Sequence, residues 1–234
     1  MIAEKNILIV GASSSIGGAI TSRFRAPSTR IIATYFPEIK IMHDEFFHPL
    51  VLDLDNDISI EKFTKEVFSF CPHIDTAIFL AGTLPGSSLK DYNFANIDKV
   101  MKINFTGQAK VIKGLLPLLD SNSQIIMISS ISAQKGSYDP LYSASKGAIL
   151  SFVKSLAIGL NGVRVNAIAP GLIENSTMYN DMSVERRELH KSQTSNKQLL
   201  SIVDLSNIIF DISQDHWKHL NGACIDINSA QYVR

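Results

Sequence analysis

Short runs rich in β-branched residues recur along this chain with amphipathic stretches between them, and no other feature limits the fold as strongly. The runs are Asn6 to Val10, Arg30 to Tyr35, Pro49 to Leu54, Asp75 to Leu80, Gln124 to Ser129, Val163 to Ala169 and Ala223 to Ile227. Most are nearly continuous in apolar residues, as strands buried on both faces must be. Helical periodicity fits the intervals Ile16 to Arg25, Ser59 to Phe70, Asn96 to Leu119, Tyr142 to Asn161 and Val203 to Ile212. Strands alternating with helices build βαβ units. The expectation is therefore an α/β protein with a doubly wound, seven-stranded parallel sheet, in one domain over residues 1–234. The stretch 37–48 is too short and polar to assign. No linker and no repeat interrupts the pattern.

Composition narrows the partners. Lysine plus arginine equals aspartate plus glutamate at 22 each, so no overall field draws the molecule to nucleic acid or to an anionic membrane. A small ligand fits better. Cys71 and Cys224 are far apart and suggest packing, not a disulfide or a metal site. His216 and His219 lack a third ligand nearby, so no metal is expected. The alternating charges from Glu185 to Lys191 read as a solvated helix face. No apolar run reaches the length of a membrane span, and the first strand starts too early for a signal peptide before it, so the cytoplasm is the expected location.

In a sheet of this kind ligands bind beyond the carboxyl ends of the strands. The first strand runs into Gly11-Ala12-Ser13-Ser14-Ser15-Ile16-Gly17 and then a helix. Gly11 suits the tight turn, Gly17 suits close packing, and the helix N-terminus offers N–H groups to a pyrophosphate. Farther along, Tyr142-Ser143-Ala144-Ser145-Lys146 puts a phenol and an ammonium one helical turn apart on the same face. Lowering a tyrosine from about 10 to about 7 takes roughly 4 kcal/mol, which a nearby cation and a positive cofactor ring can supply. Such a tyrosine serves as a proton donor and acceptor near neutral pH.

Taken in order, these motifs resemble those of the short-chain dehydrogenase/reductase family, over nearly the whole chain. The family is a single-domain Rossmann fold with a Tyr-x-x-x-Lys pair. The resemblance implies a catalytic set of Asn104, Ser130, Tyr142 and Lys146. Ser130 fits the local motif Ile128-Ser129-Ser130-Ile131-Ser132, whereas Ser129 fits the family's usual spacing to tyrosine; Ser130 is favoured. Asn104 is expected to hold a water linking Lys146 to solvent. The resemblance assigns cofactor contacts to Gly11, Ser13, Ser14, Ser15, Ile16, Gly17, Thr34, Asp53, Leu54, Ala81, Gly82, Tyr142, Lys146, Pro170, Gly171 and Ile173. Ser15 stands where the family usually has glycine, and Leu80 where it has asparagine.

The implied activity is hydride transfer between a nicotinamide cofactor and a carbonyl or secondary alcohol. The second strand ends in Ala33-Thr34-Tyr35-Phe36-Pro37, without the carboxylate that NAD enzymes use. With Ser13, Ser14 and Thr34 as possible donors, NADP is slightly preferred over NAD. Residues 172–200 are expected to form a substrate lid. Family members of this length suggest a homo-oligomer, a tetramer or dimer. The alternatives are a non-catalytic dinucleotide-binding regulator of the same fold, and an epimerase or dehydratase of nucleotide sugars, for which the chain is short.

Overall fold

The computed structural model describes residues 5–39 and 41–233. Seven parallel strands form one sheet in the order β3-β2-β1-β4-β5-β6-β7. They are β1 (Lys5–Val10), β2 (Thr29–Tyr35), β3 (Phe47–Val51), β4 (Thr76–Phe79), β5 (Gln124–Ile128), β6 (Arg164–Pro170) and β7 (Cys224–Ile227). The order reverses between β1 and β4, and a crevice opens there above the carboxyl ends of both strands.

Alternate residues of each strand enter two separate cores. Leu8, Val10, Ala77, Phe79, Ile125, Met127, Val165 and Ala167 pack with helices α2 (Asp57–Phe70), α4 (Gly107–Leu115) and α6 (Pro140–Gly159). Ile7, Ile9, Ile78, Ile126, Ile128 and Ile168 pack with α1 (Ser15–Phe24) and α9 (Ile202–Ile212). The alternation at period two is why these strands read as unbroken apolar runs.

The expected elements are present, with three differences. The third strand was expected at Pro49 to Leu54 but runs from Phe47 to Val51, because the chain turns at Asp53, whose Oδ1 accepts from the Asp55 N–H at 2.9 Å. Pro49 is tolerated because β3 is an edge strand. The expected helix Asn96 to Leu119 is divided: α3 (Phe94–Met101), a π-helical turn (Lys102–Thr106), α4, and a 3₁₀ turn at Leu116–Leu118 that holds Pro117. The short helices α5 (Ser132–Lys135) and α7 (Thr177–Asn180) were not foreseen, and the solvated helix face expected from Glu185 to Lys191 belongs to α8 (Val184–Gln193), which bears no buried residue.

Residues 172–200 leave and rejoin the body at one place. Ile173 and Leu200 form a parallel bridge, and the Glu174 N–H donates to the Leu200 carbonyl at 2.9 Å. Both α7 and α8 lie within that excursion.

Candidate active site

The turn after β1 is made by glycine for two reasons. Gly11 has φ +105°, and a Cβ on it would stand 2.7 Å from the Ala81 amide nitrogen. A Cβ on Gly17 would overlap the Gly11 carbonyl oxygen and come within 2.6 Å of Ala12 Cα. Ser14 caps α1, its Oγ accepting from the Gly17 N–H at 3.0 Å. The amides of Ser15 and Ile16 remain as the donors at this helix end. Ser15 is exposed, and its hydroxyl donates to the carbonyl of Asn175 at 3.4 Å.

Thr34 departs from expectation. It is 3% exposed, and its Oγ1 accepts from the Gly11 N–H at 2.9 Å while its carbonyl accepts from Ala12 at 2.9 Å. The hydroxyl braces the turn from below and is too deep to meet a ribose phosphate. Ser13 ties the same turn to the end of β2, accepting from the Phe36 N–H at 3.1 Å.

On the other side of the crevice, the Leu80 and Ala81 amides share the Val10 carbonyl at 3.0 Å each. A Cβ on Gly82 would stand 3.4 Å from both Asn104 Oδ1 and Lys146 Nζ, so glycine leaves open space beside the amine. The Asp53 N–H donates to Ser59 Oγ at 2.9 Å, and Leu54 is buried. Past β6, the Pro170 carbonyl accepts from the Ile131 N–H at 3.1 Å, and the Gly171 N–H donates to the Ile227 carbonyl at 2.9 Å. Ile173 turns its side chain into the core beside α9 and lends its carbonyl to Ser176 Oγ at 2.7 Å. It is the one residue of the expected cofactor set after Gly171 that packs inward.

Tyr142 and Lys146 face the crevice from the first turns of α6, and both are buried. Lys146 Nζ donates to the Ile128 carbonyl at 2.8 Å and lies 5.9 Å from the centre of the Tyr142 ring. Burial lowers the Lys146 amine to about 8. Tyr142 is pushed up. Burial is the largest cause, the Ser130 hydroxyl opposes it, and the Asp139 carboxylate adds to it. The two candidate serines separate cleanly. Ser129 donates to the Lys146 carbonyl at 2.8 Å and fastens α6 to the sheet, whereas Ser130 is the one beside the phenol.

Asn104 sits in the π turn and is fully buried. Its Oδ1 accepts from the Thr83 N–H at 2.7 Å, and its Nδ2 donates to the Thr83 carbonyl at 2.9 Å and to Ser145 Oγ at 3.0 Å. The Asn104 amide is thus a brace between the loop after β4 and α6. Gln108 completes it, donating to the Ala81 carbonyl at 2.8 Å.

Asp139 and Tyr92 went unnoticed in the sequence. Asp139 caps α6 ahead of Pro140, and Tyr92 donates to it across the chain. The Asp-Pro pair before a helical run is a start signal that was available. Among the described residues no group of three metal-binding side chains occurs, and no helix is long and apolar enough to cross a membrane. His216 lies on the surface against Asp211 at 3.4 Å. Neither cysteine is in a disulfide; Cys71 is buried, and Cys224 is half-buried beside Asp226.

The family model described as Enoyl-(Acyl carrier protein) reductase matches residues 11–229. The chain belongs to the short-chain dehydrogenase/reductase family. Members of this family are oxidoreductases, and so is this chain. It is 26% identical over 220 residues to glucose and ribitol dehydrogenase homolog 2 of Arabidopsis thaliana, covering 86% of this chain and 76% of that one. It is 25% identical to the 3-oxoacyl-[acyl-carrier-protein] reductase FabG of Aquifex aeolicus, with 96% of each chain covered. The crystal structure of a glucose/ribitol dehydrogenase-type member from Brucella melitensis superposes with a TM-score of 0.92 at 24% identity, covering 100% of this chain and 98% of the other.

Proposed function

We propose that this short-chain dehydrogenase/reductase transfers a hydride between a nicotinamide cofactor and a carbonyl or secondary alcohol, with Tyr142 as the acid and base. The observation that carries this reading is the buried convergence of Ser130, Tyr142 and Lys146 beyond the carboxyl end of β5.

The residues fit a dinucleotide. The positive φ of Gly11, the overlap that any Cβ on Gly17 would make, and the Ser15 and Ile16 amides suit a pyrophosphate laid against the α1 terminus. The open space at Gly82 suits a ribose beside Lys146. When bound, the nicotinamide supplies or accepts the hydride. Ser130 donates to the substrate oxygen as negative charge grows on it, and Tyr142 gives that oxygen its proton. Lys146 holds the ribose hydroxyls and, once charged, favours the phenolate that remains. Asp53 and Leu54 are assigned to the adenine, and Ala81, Pro170 and Gly171 to walls of the cofactor crevice.

The end of β2 carries no carboxylate to repel a 2'-phosphate, and the Ser13 and Ser14 hydroxyls are near, so NADP is preferred over NAD. Fluorescence titration with NADPH and NADH tests this, and ten-fold tighter NADH binding would reverse it. Substrate class is read from relatives: ribitol, glucose and acetoacetyl-CoA are the first compounds to assay. On the best of them, Tyr142→Phe is expected to bind cofactor normally and lose about two to four decades of turnover. Near-normal turnover would remove Tyr142 from the reaction. The reading also places the enzyme in the cytoplasm as a homo-oligomer.

A further inference from the structure

The turn after β1 and the residues around Tyr142 set the direction in which a dinucleotide lies. From a pyrophosphate at that turn, the nicotinamide half runs toward Gly82 and Tyr142, on the side of β4 and β5. The adenosine half is then laid the other way, over the exits of β2 and β3. Neighbouring strands are about 4.8 Å apart, so a ring one nucleoside away from the pyrophosphate sits above the first or second of these exits.

Phe36 is the first residue past β2, and it is 54% exposed. A lone exposed phenylalanine is ordinary on a protein surface, but this one is fastened to the turn. Its N–H donates to Ser13 Oγ at 3.1 Å, which ties the backbone carrying the ring to the segment that suits a pyrophosphate. On its other side the Leu52 N–H donates to the Tyr35 carbonyl at 3.0 Å, and this keeps the β3 exit, with Asp53 and Leu54, alongside. Period two sends Ala33 and Tyr35 into the core beside α1 and α9 and puts the next residue on the opposite face, that of Leu52 and Leu54.

The polar groups at these exits are turned to the protein's own backbone. Thr34 Oγ1 accepts from Gly11, Ser13 Oγ accepts from Phe36, and Asp53 Oδ1 accepts from Asp55. What the β2 exit offers a ligand is an aromatic face. We propose that Phe36 is the platform on which the adenine of the cofactor stacks, opposite the Asp53–Leu54 exit. The inference rests on the reading of the crevice as a dinucleotide site and adds to it the side chain that grips the far end. Adenine presents the same π face whether or not the ribose bears a 2'-phosphate, so the ring acts on NADPH and NADH alike.

Calorimetric titration of the whole chain with NADPH and NADH tests the platform. In Phe36→Ala both affinities are expected to fall by the same factor, about 5- to 100-fold, the range of one lost base–aromatic stack. Phe36→Tyr keeps a ring and is expected to bind as the wild type does. In Phe36→Trp the new indole is expected to be quenched by 2',5'-ADP, which carries adenine and no nicotinamide; the wild-type chain, with Trp217 as its single tryptophan, gives the background. Unchanged affinities in Phe36→Ala, an equal loss in Phe36→Tyr, or an indole that 2',5'-ADP leaves bright would each overturn the proposal. A wild-type chain that binds neither NADPH nor NADH would instead overturn the dinucleotide reading beneath it.

Discussion

Lys146 carries its amine to a place only 4% exposed, where it donates to the Ile128 carbonyl. Lowered from 10.5 to about 8, it makes the folded chain release a proton that the unfolded chain keeps between those values. Stability from this residue therefore rises with pH across that window, and the full penalty stands below about pH 8. The shift corresponds to about 3 kcal/mol, offset by about 1 kcal/mol for the hydrogen bond. Lys146→Met is expected to raise the melting temperature of the cofactor-free protein at pH 7 and to lose that advantage by pH 10.5. A less stable Met variant at pH 7 would show that the contact with Ile128 outweighs burial. Stability given up at a functional position is a common exchange. The Tyr142–Lys146 pair was legible because helical spacing alone brings its members together. The Tyr92–Asp139 contact was not, since it joins residues 47 apart in sequence through a loop without periodicity.

The helix that became α3, the π turn and α4 shows what periodicity hides. Apolar residues recur on both sides of the interruption, so the stretch still reads as one helix. What breaks the helix is contact with its neighbours. Asn104 spends its side chain on Thr83 and Ser145, and Gly107 presses directly on the third-strand exit. A Cβ on Gly107 would overlap the Leu54 carbonyl oxygen and stand 2.8 Å from that of Lys102. Both neighbours are backbone and neither can swing aside. Gly107→Ala is expected to cost about 1–3 kcal/mol in denaturant unfolding. Because the π turn moves with Gly107, weaker binding of NADPH in the same variant is expected. An unchanged denaturation midpoint would show that the elements can part without cost. The strands were the readable part. Burial on both faces marks them as apolar runs, and the only strand whose limits shifted by more than a residue or two lies at the edge.

On the scale of the molecule, helix α6 carries apolar surface beyond the core: Ile158, near its end, is 88% exposed, while the half-buried Phe105 and Phe152, which meet edge to face at 5.4 Å between the π turn and α6, pack against the core. If the homo-oligomer forms through these helices, light scattering will give a mass above that of one 25.8 kDa chain, and Ile158→Arg will lower it. A wild-type mass equal to the monomer would discard the assembly. The parallel, doubly wound sheet followed from the βαβ pattern, but the state of association has no signature in a single chain.

The meeting of Ile173 with Leu200 separates two kinds of change open to this chain. Because the excursion starts and ends at one small junction, residues can be gained, lost or exchanged inside it without disturbing the register of any strand. Length and composition can then change there by insertion and deletion, while the buried arrangement of Ser130, Tyr142 and Lys146 keeps its geometry.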